Sequence, residues 1–120
     1  EKTGFRPTVG DMYAGYTVIE NKFTGNTTIG IVMTNACFDK SRLCKIAGMA
    51  QNGVARSIHP VHTSADGDSV YAMSVGTVQA DMDMVGTLAA DVMSEAILSA
   101  VKNAETAYGY ISANDFLTEY

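Results

Sequence analysis

The segment that most constrains this chain is Thr27-Thr28-Ile29-Gly30-Ile31-Val32-Met33-Thr34, a β-branched run that stays apolar at successive positions. Neighbouring side chains on a strand point to opposite faces, so such a run needs cover on both sides and reads as a strand buried between layers. The pattern then changes period. From Asp39 to Ile58 the apolar positions Leu43, Ile46, Ala47, Ala50, Val54 and Ile58 recur at intervals of three and four, which is one face of an α-helix, with Asp39 or Ser41 as its cap. Pro60 follows the end of that helix, and a loop from His59 to Asp68 leads into a second predicted strand, Ser69–Val75, expected to stop at Gly76. A second helix is predicted from about Asp83 to Ala104, with Asp81 and Asp83 preparing its N-terminus. Its polar stripe of Asp91, Ser94, Glu95, Ser99 and Lys102 leaves the remaining sides apolar, so it is expected to be covered on most of them.

Strand, helix, strand, helix gives a βαβα unit of the α/β class, with helices layered over a sheet. Two strands make a thin sheet, so the pattern expects further strands from elsewhere. Residues 1–26 carry Gly4, Gly10, Gly15 and Gly25 and read as a turn-rich lead. Within it only Tyr16–Ile19 has strand composition, and Thr24-Gly25-Asn26 turns the chain into the first strand.

Composition narrows the function. A chain of 120 residues with 47% hydrophobic content fits a single domain, and 8 basic against 13 acidic residues, a net charge of −5, is unsuited to a phosphate backbone; no nucleic-acid partner is expected. Cys37 and Cys44 form neither a CxxC nor a Cys/His cluster, so no metal, cofactor or disulfide framework is expected and a reducing, cytoplasmic setting is the default. Uninterrupted apolar runs fall far short of the roughly 20 residues that cross a bilayer, so no membrane span is expected. The start, Glu1 to Pro7, lacks the apolar centre of a signal peptide, and the chain reads as part of something longer. The methionines read as core filling.

Three groups of residues invite chemistry. Asn26-Thr27-Thr28 places a hydroxyl at the opening of a buried strand, directly after a turn. Threonine commonly begins a strand, and the triplet is also a glycosylation acceptor pattern. It also fits an N-terminal nucleophile: once the bond before Thr27 is cut, the new α-amine, with a pKa near ~8, serves as the base for the hydroxyl on the same residue. Asp66-Gly67-Asp68 brings two carboxylates into one loop, with Gly67 allowing a sharp turn between them. It reads either as a solvated acidic turn or as a pair that orients the Thr27 amine and steadies the ammonium it forms. His59 and His62 have no third ligand beside them and read as structural, one capping a helix end and one hydrogen-bonded in the loop.

The strings Asn26-Thr27-Thr28-Ile29-Gly30-Ile31-Val32, Gly53-Val54-Ala55-Arg56-Ser57-Ile58-His59-Pro60-Val61-His62-Thr63 and Asp66-Gly67-Asp68 together resemble the L-aminopeptidase/D-esterase family, which includes β-peptidyl aminopeptidases and nylon-oligomer hydrolases. The resemblance runs from about Asn26 to Phe116, with no family motif in the lead. It implies an αββα four-layer sandwich and self-cleavage between Asn26 and Thr27. It also implies Thr27 as nucleophile and Asp66 and Asp68 as supporting acids. Residues 27–120 are then similar to the small subunit and residues 1–26 to a stub of the large one. The implied partners are the upstream large-subunit region, other processed protomers in a homo-oligomer, and a peptide or oligoamide substrate. The upstream region would supply the oxyanion donors, each worth on the order of 3 kcal/mol. Two further readings stay open: a noncatalytic α/β assembly or binding module, and an acyltransferase like the ornithine acetyltransferases.

Overall fold

The structure, a computed structural model, describes residues 27–117 together with Gly10, Tyr13 and Ala14. Strand β1 spans Ile29–Ala36, helix α1 Lys40–Ser57, strand β2 Ser69–Val78, helix α2 Met82–Asn103 and the short helix α3 Ala113–Leu117. This is a mixed α/β arrangement built on a parallel two-stranded sheet. The expected strand at Tyr16–Ile19 and the turn at Thr24–Asn26 lie outside the described residues.

The two helix starts follow the capping rule. Asp39 accepts the Arg42 N–H at 2.8 Å and Asp81 accepts the Met84 N–H at 2.9 Å, each satisfying a donor that the first turn would leave unpaired. At the other end of α1 the expectation for a histidine cap is corrected: the Ile58 N–H itself bonds to the Val54 carbonyl.

The sheet pairs Ile29 with Ser69 and runs in register to Thr34 and Ser74, after which a bulge brings Ala36 opposite Val78. Gly76 does not end β2. A Cβ there would sit 2.1 Å from the Asn35 carbonyl oxygen, so glycine is what lets the bulged strands approach.

Helix α1 lies over β2 and helix α2 over β1, both on one face of the sheet. That face carries Gly30, Val32 and Ala36 with Val70 and Ala72, and the core closes over it with Phe38, Ile46, Ala50, Val54, Ala89 and Met93. Ile46 and Val54 are the most completely buried large side chains, each contributing about 1.5–3 kcal/mol through its removal from water. The helices meet through small residues. A Cβ on Gly53 would lie 2.2 Å from the Ala90 carbonyl oxygen, and one on Gly86 2.3 Å from the Met49 sulfur. Ser57 and Ser94 hydrogen-bond at 2.7 Å across this contact, and Arg56 reaches Asp91, so part of the predicted polar stripe faces α1.

The opposite sheet face is bare. Ile29, Ile31, Met33, Tyr71, Met73 and Val75 are 41–68% exposed, as are Met84, Leu88 and Val92 along α2 at 52–59%. Cover on both faces of β1 and around α2 is therefore not supplied by the described residues. Met33, Met73 and Met84 are surface groups here, whereas Met93 lies in the core and Met82 packs against it. Contrary to the expectation from uninterrupted apolar runs, α2 is long and apolar enough to cross a bilayer by length and composition. Its Gly86, Ala89, Ala90 and Met93 are instead buried in the packing just described.

After α2 the chain turns through Tyr108 and Gly109, both at positive φ, into α3. There Ser112 and Asp115 bond reciprocally: the Asp115 N–H donates to Ser112 Oγ at 3.3 Å and the Ser112 N–H donates to Asp115 Oδ2 at 3.2 Å. Hydrogen bonds from the Thr106 hydroxyl first, then from Ser112, hold the Asp115 carboxyl below its ordinary pKa of 3.8.

Two outcomes follow. Gly53→Ala should destabilise by about 2–3 kcal/mol through overpacking, whereas Gly48→Ala, with open space around the added methyl, should stabilise by about 0.5–1 kcal/mol; urea midpoints distinguish them. A depressed folded-state pKa stabilises above the unfolded value and is lost as pH falls through the folded one. The protection of the Ser112 amide, expressed against its unfolded-chain exchange rate at the same pH, should therefore fall below about pH 3.8, a step absent from Asp115→Asn.

Candidate functional site

Parallel pairing brings the N-terminal ends of β1 and β2 side by side, and with them the residues just before each strand. Thr27 and Thr28 precede β1; Gly67 and Asp68 precede β2. Two hydrogen bonds stitch them. The Ser69 N–H donates to the Thr28 carbonyl at 2.9 Å, and the Thr28 N–H donates to Asp68 Oδ1 at 2.8 Å. The carboxylate thus takes the place of a neighbouring strand's carbonyl at the first position of the ladder. A charged acceptor makes this bond stronger than a neutral one.

The Thr27 side chain is exposed, and its hydroxyl lies beside Gly67, where an added Cβ would stand 3.1 Å from Oγ1 and 3.7 Å from Cγ2. Gly67 is not at positive φ, so its role differs from the sharp turn expected of it: the missing side chain leaves room for the threonine.

Of the two predicted acids, Asp68 reaches the threonine segment and Asp66 serves its own loop. Asp66 Oδ2 accepts the Thr63 N–H at 2.6 Å and the Asp66 N–H donates to the Thr63 carbonyl at 3.1 Å, closing residues 63–66 into a tight turn. The Asp68 side chain is only 8% exposed, and 3.9 Å from its Oδ2 lies Nδ1 of His62. His62 occupies a left-handed backbone conformation at φ 57°, which costs a residue with a Cβ roughly 1–2 kcal/mol. His59 belongs to the cis peptide with Pro60 in the same loop. Asn26, the other half of the expected cleavage bond, lies outside the described residues.

No group of three or more His, Cys, Asp or Glu side chains fit to hold a metal occurs among the described residues. Among the described residues, apolar grooves lie at both edges of the sheet. One, of about 270 Å³, runs between Ile31, Met33 and Val92, and the other, of about 360 Å³, between Leu43, Cys44 and Tyr71; neither includes Thr27.

The sequence pointed to Thr27, Asp66 and Asp68 but not to the approach of His62 to Asp68. The signal was available only as proximity in sequence, because a positive φ on histidine has no motif.

The site is thus an exposed hydroxyl just before a strand, followed by a backbone amide held by a largely buried carboxylate. A model of peptidase family S58 matches residues 5–114, and the chain belongs to that family. The match starts within the lead, where no motif was expected; a turn-rich segment has no periodicity to read. An uncharacterized aminopeptidase of Mycobacterium leprae is 33% identical over 91% of this chain and 34% of its own length. The 6-aminohexanoate-oligomer endohydrolases of Kocuria and of Paenarthrobacter ureafaciens are each 30% identical over 65% of this chain and 26% of their own length. The chain thus spans about a third or less of these curated relatives.

Replacing Asp68 by alanine strands the Thr28 N–H and should destabilise by about 1–3 kcal/mol, while Asp68→Asn keeps an acceptor and should cost less; paired urea titrations measure the difference.

Proposed function

We propose that the protein is a self-processing amide hydrolase whose nucleophile is Thr27. The observation that carries this reading is the exposed Thr27 hydroxyl beside Gly67, on a backbone held one residue further on by the carboxylate of Asp68. In the uncut chain the Thr27 nitrogen is an amide and has no basic lone pair. Activation begins when Oγ1 attacks the Asn26 carbonyl carbon. The C–N bond to Thr27 breaks, the nitrogen takes up a proton, and an ester joins Asn26 to Oγ1. Water cleaves that ester, leaving a carboxylate on Asn26 and a free α-amine on Thr27.

In turnover the amine accepts the hydroxyl proton as Oγ1 attacks the substrate amide, then passes it to the departing amine nitrogen. The acyl group is left as a Thr27 ester, which water hydrolyses to regenerate the hydroxyl. The role of Asp68 is orientation: it fixes the Thr28 amide and so the direction in which Thr27 leaves the strand. Asp66 closes the turn that presents Gly67 and Asp68. The relatives' names, aminopeptidase and 6-aminohexanoate-oligomer endohydrolase, both point to cleavage of an amide bond, and that substrate class is the one proposed here. The partners proposed are the preceding region of the same protein and further processed copies.

In the full-length protein Thr27→Ala should abolish hydrolysis of a 6-aminohexanoate oligomer and of amino-acid amides, and Thr27→Ser should retain a measurable fraction. Gly67→Ala, which crowds Oγ1 without straining the backbone, should lower kcat on the order of tenfold. Product analysis with an added amine acceptor checks the outcome: free acid as the main product supports hydrolysis, and acylated acceptor as the main product contradicts it.

A further inference from the structure

We propose that His62 is a positioning residue for the Thr27 site: its imidazole steadies the Asp68 carboxylate, and through it the backbone that carries the threonine. This rests on the reading of Thr27 as nucleophile. Backbone, direction and burial each contribute to it.

The backbone of His62 lies at φ 57°, a left-handed region that histidine, asparagine and aspartate enter more often than other residues with a Cβ. That conformation sets the direction in which the imidazole leaves the loop. The direction is given by the two oxygens of one carboxylate. Asp68 Oδ1 accepts the Thr28 N–H at 2.8 Å, and Oδ2 faces Nδ1 of His62 at 3.9 Å. Burial makes the second contact matter. The Asp68 side chain is 8% exposed and the His62 side chain 40%, so the carboxylate is largely withdrawn from water and needs polar partners on both oxygens.

A separation of 3.9 Å is ion-pair range and longer than a hydrogen bond. Contacts of catalytic groups are often long before substrate binds and shorten in the reacting complex. A movement of about 1 Å lets Nδ1–H donate to Oδ2. Held at both oxygens, the carboxylate cannot rotate about its Cβ–Cγ bond, a rotation that would take Oδ1 off the Thr28 amide. The imidazole therefore acts on the rate of the chemical step and leaves substrate binding alone.

The test uses the full-length protein. His62→Gly removes the imidazole and suits the left-handed backbone, so the unfolding midpoint should hold or rise while kcat falls on the order of tenfold at unchanged KM. Added imidazole should restore part of the lost rate. His62→Asn also accepts that backbone and is read in the same way if the glycine variant folds poorly. Unchanged kcat in a folded variant, a change confined to KM, or a loss that imidazole does not relieve would overturn the inference. Thr27→Ala, run alongside, separates the two levels. An inactive Thr27→Ala beside a fully active His62→Gly removes His62 alone, whereas an active Thr27→Ala removes the threonine reading and this inference with it.

Discussion

The hydrogen bond from the Thr28 N–H to Asp68 is the contact on which the site depends. It is local in space and distant in sequence, so it forms only once β1 and β2 have paired in parallel across the intervening helix. Parallel pairing requires such a crossover, and α1 supplies it. The pairing register then decides everything near Thr27. Slipping β2 by one residue would exchange its buried and exposed faces and carry Asp68 away from the Thr28 amide. The small residues between the helices serve the same end, because the close approach of α1 and α2 at Gly53 and Gly86 lets both lie flat on one face of a narrow sheet.

The position of the site within the sheet is unusual for the class. Open parallel sheets generally bind ligands beyond the carboxyl ends of their strands. Here the threonine and its acid stand at the amino ends, where a strand opening can be separated from the chain before it without disturbing the ladder. Thr27 stands two residues before β1, and the paired Thr28 anchors its carbonyl side. The bare sheet face fits the same picture. Ile31, Met33, Tyr71 and Met73 form an apolar surface that water does not favour, on a chain spanning about a third of its aminopeptidase relative.

Much of the architecture was legible from residue pattern. The helix over Lys40–Ser57 follows from its apolar spacing and from Asp39, and the second helix from Asp81 and a long apolar pattern. Strand ends were less legible. Gly76 reads as a terminator in isolation, yet its value lies in contact with Asn35, a residue of the other strand that no local pattern reveals. Burial is less legible for the same reason: Ile29, Ile31 and Met33 have the composition of a covered strand, their face is bare among the described residues, and cover is a property of neighbours. At the site, Thr27 and the Asp66-Gly67-Asp68 loop stood out by residue type. How the two carboxylates divide, Asp66 to Thr63 and Asp68 to Thr28, depends on loop geometry that residue type does not encode.

The proposed function requires a peptide bond to open in front of Thr27 and convert it into the reacting residue. Intact-mass measurement with N-terminal sequencing on the freshly expressed full-length protein tests this most directly. The expected outcome is a smaller fragment whose first residue is Thr27 and whose appearance is blocked by Thr27→Ala. A single uncut species that nonetheless hydrolyses amides, or a fragment that begins at another residue, would contradict it.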